Sequence, residues 1–149
     1  MLTMNCIITF DLEEPRHSNI SDGAHKARTI GFDASVDVLL EMLKTYQARA
    51  TFFVVGETAE AHPDTIRRIS DAGHEIAAHS MHHKRIAEMT EEEFRSDARL
   101  TKEALERITG LRVDGYRAPS WSAHTKHTSW FWRVLKEEGY LYSSSVVPL

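Results

Sequence analysis

The run Ala50-Thr-Phe-Phe-Val-Val55 is apolar on both faces of an extended chain, and Gly56 ends it. A half-exposed strand alternates apolar with polar residues. A strand without alternation has to be covered on both sides, as in a parallel sheet held between layers. Other short runs with strand character lie at residues 6–10, 75–78, 111–116 and 140–147. Between them are amphipathic stretches with helix signals. Asp33 or Ser35 caps a helix whose apolar positions are Val36, Leu39, Leu40, Leu43 and Tyr46. Pro63 opens a short helix carrying Ile66 and Ile69, and Gly73 closes it. Thr90-Glu-Glu-Glu93 is a capping box ahead of Phe94, Ala98, Thr101, Leu105 and Ile108, with Gly110 as the stop. Ser129 caps a last helix with Trp130, Val134 and Leu135 inward. Residues 16–32 read as a loop. Strand alternating with helix at this spacing predicts an α/β chain of about five parallel strands with flanking helices, and 149 residues predict a single domain.

In a parallel sheet all strand C-termini share one rim, so polar groups placed there converge. Three strand ends carry such groups: Asp11-Leu-Glu13-Glu14, His79-Ser-Met-His82-His83 and Arg117-Ala-Pro119-Ser120-Trp121. His79 and His83 are four apart, and one turn after the strand points both imidazoles to the same side. Two neutral imidazoles and a carboxylate, with a position left open for water, are a common ligand set for catalytic zinc.

Composition narrows the field. A net charge of −4, with histidine neutral and no clustered basic face, gives no reason to expect a nucleic-acid partner. The lone cysteine, Cys6, allows no internal disulfide and reads as a small core residue on the first strand. No apolar run approaches the ~18 residues of a membrane span, and Met-Leu-Thr-Met-Asn at the start lacks the pattern of a signal peptide, so the cytoplasm is the default compartment. A flavodoxin-like sheet with a nucleotide site is a rival fold, but no strand end carries a glycine-rich phosphate loop.

Thr9-Phe10-Asp11, the His79-Ser80-Met-His-His83 spacing, Arg117-Ala-Pro119 and the phrase Gly73-His-Glu-Ile-Ala-Ala-His79 resemble the polysaccharide deacetylase family with NodB homology. The wording is closest to the branch found with exopolysaccharide and exosortase loci. The resemblance covers residues 5–147. It implies a distorted (β/α) barrel and hydrolysis of N-acetyl groups on a polysaccharide with a divalent metal, usually zinc. It makes Asp11 the general base, His79 and His83 metal ligands, and Arg117 the residue that orients Asp11. The backbone N–H at Ser120, just after Pro119, would receive the oxyanion, and Trp121 would form a wall of the sugar groove. The commoner motif takes its third ligand from the second position of an Asp-Asp pair. That position here is Leu12, which cannot bind a metal. In the related branch the carboxylate two residues on takes the role, which selects Glu13, with Glu14 as the fallback. On an extended segment Glu13 also faces the same side as Asp11.

The family's fourth and fifth motifs, including the histidine that protonates the leaving amine, have no match through residue 149. The domain, residues 1–149, is therefore expected to be a C-terminally truncated barrel that lacks its catalytic acid. Its open apolar edge would invite pairing with a second copy. Two other functions compete: a metal-dependent amidohydrolase acting on a small non-sugar amide, and an inactive carbohydrate-binding relic. His74, after a helix-ending glycine, reads as structural. His82 is expected to point away from His79 and His83. His17, His25, His124 and His127 have no partner at ligand spacing. Trp130 and Trp132, two apart on a helix, cannot both face the core.

Overall fold

A computed structural model describes residues 6–17, 31–123 and 128–146. Strand β1 (Ile8–Leu12) is followed by helix α1 (Phe32–Thr45), β2 (Ala50–Val54), α2 (Gly56–Ala61), α3 (Pro63–Asp71), β3 (Glu75–Ala78), α4 (Glu91–Thr109), β4 (Gly115–Tyr116), α5 (Phe131–Glu137) and β5 (Tyr142–Ser143). Single turns of 3-10 helix lie at Pro15–His17, Ile86–Glu88 and Pro119–Trp121. The strands form one parallel sheet in chain order, β1-β2-β3-β4-β5. A flavodoxin-like sheet reverses its winding at a switch point. This one never reverses, so it is wound as a (β/α) barrel is, and among the described residues it stays open at β1 and β5.

Period two divides the strand residues between the two faces. Leu12, Ala50, Phe52, Val54, Ile76, Ala78 and Tyr116 join the core, which they share with Ile66, Ile69, Phe94, Leu105, Phe131 and Val134 from α3, α4 and α5. The intervening positions, Thr9, Asp11, Thr51, Phe53, Glu75 and Ala77, take the opposite face. There Tyr142 donates to Glu75 at 2.8 Å, and the Arg117 guanidinium lies 4.0 Å from the centre of the Phe53 ring. Register brings Asp11 beside Phe53, and Ala78 beside Tyr116. Gly115 is a glycine for a local reason: a Cβ there would run into the Tyr142 ring.

The helix signals act mostly as the sequence suggests. Thr90 and Glu93 form the reciprocal capping box, with Glu93 N–H to Thr90 Oγ1 at 3.2 Å and Thr90 N–H to Glu93 Oε2 at 2.7 Å. Gly110 closes α4 in the left-handed region at φ 69°. Other expectations change. Cys6 is exposed ahead of β1, which begins two residues later and so holds Asp11 and Leu12 within the strand. Helix α1 starts at Phe32, with Gly31 at its cap position, so neither Asp33 nor Ser35 caps it. The Asp33 carboxylate instead accepts from the Thr65 hydroxyl. Tyr46 lies past the helix end and is exposed. Gly56 does not just end β2: it begins α2, where Met81 packs too close for any side chain. Strand β4 is only two residues long, because Leu111 is exposed and Arg112 turns to pair with Asp114 at 2.7 Å. Likewise β5 covers only Tyr142–Ser143. Helix α5 starts at Phe131 and buries Phe131, Val134 and Leu135 at i, i+3, i+4, so its inward face is one residue out of step with Trp130. Ser129 does not cap it. Trp130 is half-buried against Phe94, and Trp132 is exposed. Residue 147 and His25, His124 and His127 lie outside the described residues.

His74 is structural, as expected. Its Nδ1 accepts the Ala50 N–H at 3.3 Å and its ring packs 5.5 Å from that of Phe52. Burial first, and the Arg49 charge second, push its imidazole below 6.5. The folded state therefore prefers neutral His74, and the unfolded chain binds that proton more readily. Its contribution is complete above 6.5 and falls away as pH drops through that value. His74→Asn is expected to lower the melting temperature near neutrality. It should also flatten the loss of stability between about pH 7.5 and about pH 5.5, measured by thermal melts against the wild type.

Candidate functional site

The three strand ends meet at the C-terminal rim. One oxygen of Glu13 and one nitrogen each of His79 and His83 lie within 4.8 Å of one another. No other trio of histidine, cysteine or carboxylate ligand atoms among the described residues converges this way. His79 follows directly from β3 and is almost fully buried; its Nδ1 donates to the Arg117 carbonyl at 2.8 Å. That bond fixes the tautomer and leaves the Nε2 lone pair facing the cluster. Burial pushes the His79 imidazole down, against the opposing charge of Asp11, and the neutral ring is the form that binds a cation. His83 Nε2 stands 2.9 Å from Glu13 Oε2, yet that oxygen is buried without a hydrogen bond. Two ligand atoms this close can share a cation in place of a proton. The His83 ring holds the Glu13 carboxyl below its usual range, with burial opposing. The donor set therefore fits a divalent metal.

Asp11 stands beside this group. Its Oδ2 lies 3.8 Å from His79 Nε2, and its Oδ1 accepts from Arg117 Nη1 at 2.6 Å. Arg117 is itself fastened. Its Nη2 donates to Thr9 Oγ1 at 3.1 Å and to Ser144 Oγ at 2.7 Å, and its Nε donates to the Ser144 carbonyl at 3.2 Å. Beyond Arg117, the Ala118 N–H donates to buried Ser145 Oγ at 2.8 Å. Pro119 is buried, whereas Ser120 and Trp121 are exposed. Ser122 Oγ accepts the Ile86 N–H at 2.9 Å and so ties this loop to the one that follows His83.

Backbone strain collects at the same place. Of the five non-glycine residues in the left-handed region among the described residues, four, Ser80 (φ 67°), His83 (φ 55°), Ser120 (φ 52°) and Trp121 (φ 48°), are on the two loops that bear the site, and the fifth, Gln47, follows α1. Each costs roughly 1 kcal/mol, and such outliers cluster where geometry serves function.

Glu14 does not join the cluster; its Oε1 faces His62 Nε2 at 3.4 Å, so the geometry favours Glu13. His82 points away and pairs with Glu57 at 2.9 Å. The sequence gives little sign of a further group. His17 is buried, its ring centre 6.3 Å from that of His83; its Nδ1 accepts the Glu14 N–H at 3.3 Å and its Nε2 meets Glu57 at 3.1 Å. Glu57 thus spans two loops that each carry a member of the trio. Ser144 and Asp97 likewise carry no sequence signal, because their partners are distant in the chain.

A sequentially wound parallel sheet with a metal-competent trio and an arginine-held aspartate on its rim defines an α/β domain of barrel type with a strand-end site. Residues 8–143 match the sequence profile of the polysaccharide deacetylases, and the chain belongs to that family. It is 37% identical over 81 residues to a peptidoglycan-N-acetylglucosamine deacetylase of Bacillus cereus, covering 54% of this chain and 30% of that protein. It is 37% identical over 86 residues to a chitin deacetylase of Colletotrichum lindemuthianum, covering 54% and 35% respectively. A crystal structure from Mycobacterium smegmatis, assigned to the polysaccharide deacetylases, superposes with a TM-score of 0.74 at 34% identity, covering 95% of this chain and 50% of that one. The chain thus spans a third to a half of the length of these relatives.

Proposed function

We propose that the protein is a divalent-metal-dependent hydrolase that removes N-acetyl groups from a polysaccharide. The observation that carries this reading is the placement of Asp11. It is held by Arg117 at 2.6 Å and stands 3.8 Å from His79, one member of the Glu13, His79 and His83 trio. Zinc is the metal this set of two imidazoles and one carboxylate suits best. Glu13, His79 and His83 would hold it. The cation would supply Lewis-acid polarisation of the acetamide carbonyl and lower the pKa of a water from about 15.7 toward ~7. Asp11 would serve as general base toward the attacking water, and Arg117 keeps its carboxylate aimed. The Ser120 N–H donates to the developing oxyanion, Pro119 shapes the turn that presents it, and exposed Trp121 offers an apolar face to a sugar ring. The names of the relatives support an N-acetylated polymer as substrate, and the resemblance of the motif wording to the branch found with exopolysaccharide loci is what supports an exopolysaccharide.

The test uses metal and substrate together. Zinc is expected to bind with one site per chain and to be lost in His79→Ala. Acetate release from N-acetylated chito-oligosaccharides is expected to stop on chelation and return when zinc is restored. Hydrolysis confined to small cyclic amides would move the substrate class to the rival amidohydrolase reading. Sugar binding without any acetate release would point to a silent carbohydrate-binding module.

A further inference from the structure

The turn between His79 and His83 cannot hold its shape by propensity, since Ser80 and His83 both sit in the left-handed region. Its polar groups are therefore held from outside. The carbonyls of Ser80 and Met81 accept the Gly56 and Glu57 N–H groups at the start of α2, both at 3.0 Å. The donors of the turn go elsewhere. Ser80 Oγ at 3.1 Å and the Met81 N–H at 3.0 Å both donate to a single oxygen, Oδ2 of Asp97 on α4. Ser80 is fully enclosed and Asp97 nearly so.

Asp97 has no cationic side chain bonded to it. Its other oxygen, Oδ1, is buried without a hydrogen-bond partner. Burial raises the Asp97 carboxyl above its usual range, against the bonds from Met81 and Ser80 and the smaller pull of His82 in the same turn. Enclosing a carboxylate with half its acceptor capacity unused is costly, and an apolar residue would serve the core better. What an apolar residue cannot do is accept a hydroxyl and an amide at one point. We propose that Asp97 is a positioning residue for the metal-binding turn, holding left-handed Ser80 and the Met81 N–H that follows it in the geometry that brings His79 and His83 to one point. This rests on the metal reading of the Glu13, His79 and His83 trio.

The test measures zinc affinity by chelator competition and records the visible absorption spectrum of the cobalt-substituted protein. It compares the wild type, Asp97→Ala, Asp97→Asn, Ser80→Ala and a core control, Leu105→Ala, which weakens α4 at a fully buried position away from these bonds. Asp97→Ala is expected to bind zinc about 10- to 100-fold more weakly, the range for residues that support metal ligands, with an altered cobalt spectrum. Asp97→Asn keeps an oxygen acceptor and is expected to restore the wild-type spectrum. Ser80→Ala removes one of the two donors and should give a smaller loss of affinity. Leu105→Ala should melt earlier than the wild type, yet bind zinc with unchanged affinity and spectrum. If Asp97→Ala does not fold, Ser80→Ala and Asp97→Asn still decide the matter: wild-type affinity and spectrum in Ser80→Ala, or no rescue in Asp97→Asn, would overturn the proposal. So would wild-type affinity and spectrum in a folded Asp97→Ala. Failure of the wild type to bind zinc, or binding that survives His79→Ala, would instead overturn the metal reading, and the role of Asp97 with it.

Discussion

Asp11→Asn is expected to lower kcat for deacetylation by about 10²- to 10⁴-fold, the range for loss of a positioned general base, while KM and zinc affinity stay close to wild type. The geometry separates this from a ligand role. Asp11 contributes no atom to the trio that converges within 4.8 Å, and one of its oxygens is already committed to Arg117. Asparagine keeps the size of the side chain and an oxygen to accept from Arg117, but it cannot take a proton at pH 7. Single-turnover rates and zinc titration of the same preparation would check this. A fall in zinc affinity that matched the fall in rate would make Asp11 a ligand and Glu13 a bystander. An unchanged rate would remove Asp11 from the chemistry.

What the sequence conveys about this site follows from periodicity. A continuous apolar run identifies β2, and the same logic places β1 and β3; parallel pairing then forces their C-termini onto one rim. Asp11 and Glu13, two apart, and His79 and His83, four apart, can be matched to one face from spacing alone. Contacts made across the chain leave no such trace. The pairing of Arg117 with Asp11, 106 residues apart, is expected only from the family resemblance, and its reach to Ser144 over 27 residues has no sign at all, since Ser143-Ser-Ser145 looks like any polar stretch. Asp97 looks like a solvated helix residue until α4 is seen to face the Ser80 turn. His17, six residues past Asp11, has no ligand spacing in the sequence, yet a single 3-10 turn brings it against Glu57. The lengths of β4 and β5 are not legible either, since only Gly115–Tyr116 and Tyr142–Ser143 of the apolar runs pair in the sheet.

The guanidinium of Arg117 is expected to be the costliest single side chain to remove from the rim. Through Nη1 it holds Asp11, through Nη2 it holds Thr9 and Ser144, through Nε it takes the Ser144 carbonyl, and its flat face covers Phe53. Arg117→Met keeps much of the apolar contact but leaves Asp11 without its counter-charge and three acceptors unmet. Breaking a largely buried ion pair from one side costs ~3 kcal/mol even where one partner keeps some contact with water. Urea denaturation should show that loss, and kcat should fall because Asp11 is no longer aimed. The backbone of Arg117 is untouched by the change, so its carbonyl still accepts from His79 Nδ1, and zinc affinity should drop far less than the rate. Arg117→Lys is the sharper comparison. Lysine restores a positive charge but not a fork that reaches Asp11, Thr9 and Ser144 together. It should recover part of the stability and little of the rate; full recovery of both would show that charge alone matters at this position and that the clamp from β5 does not.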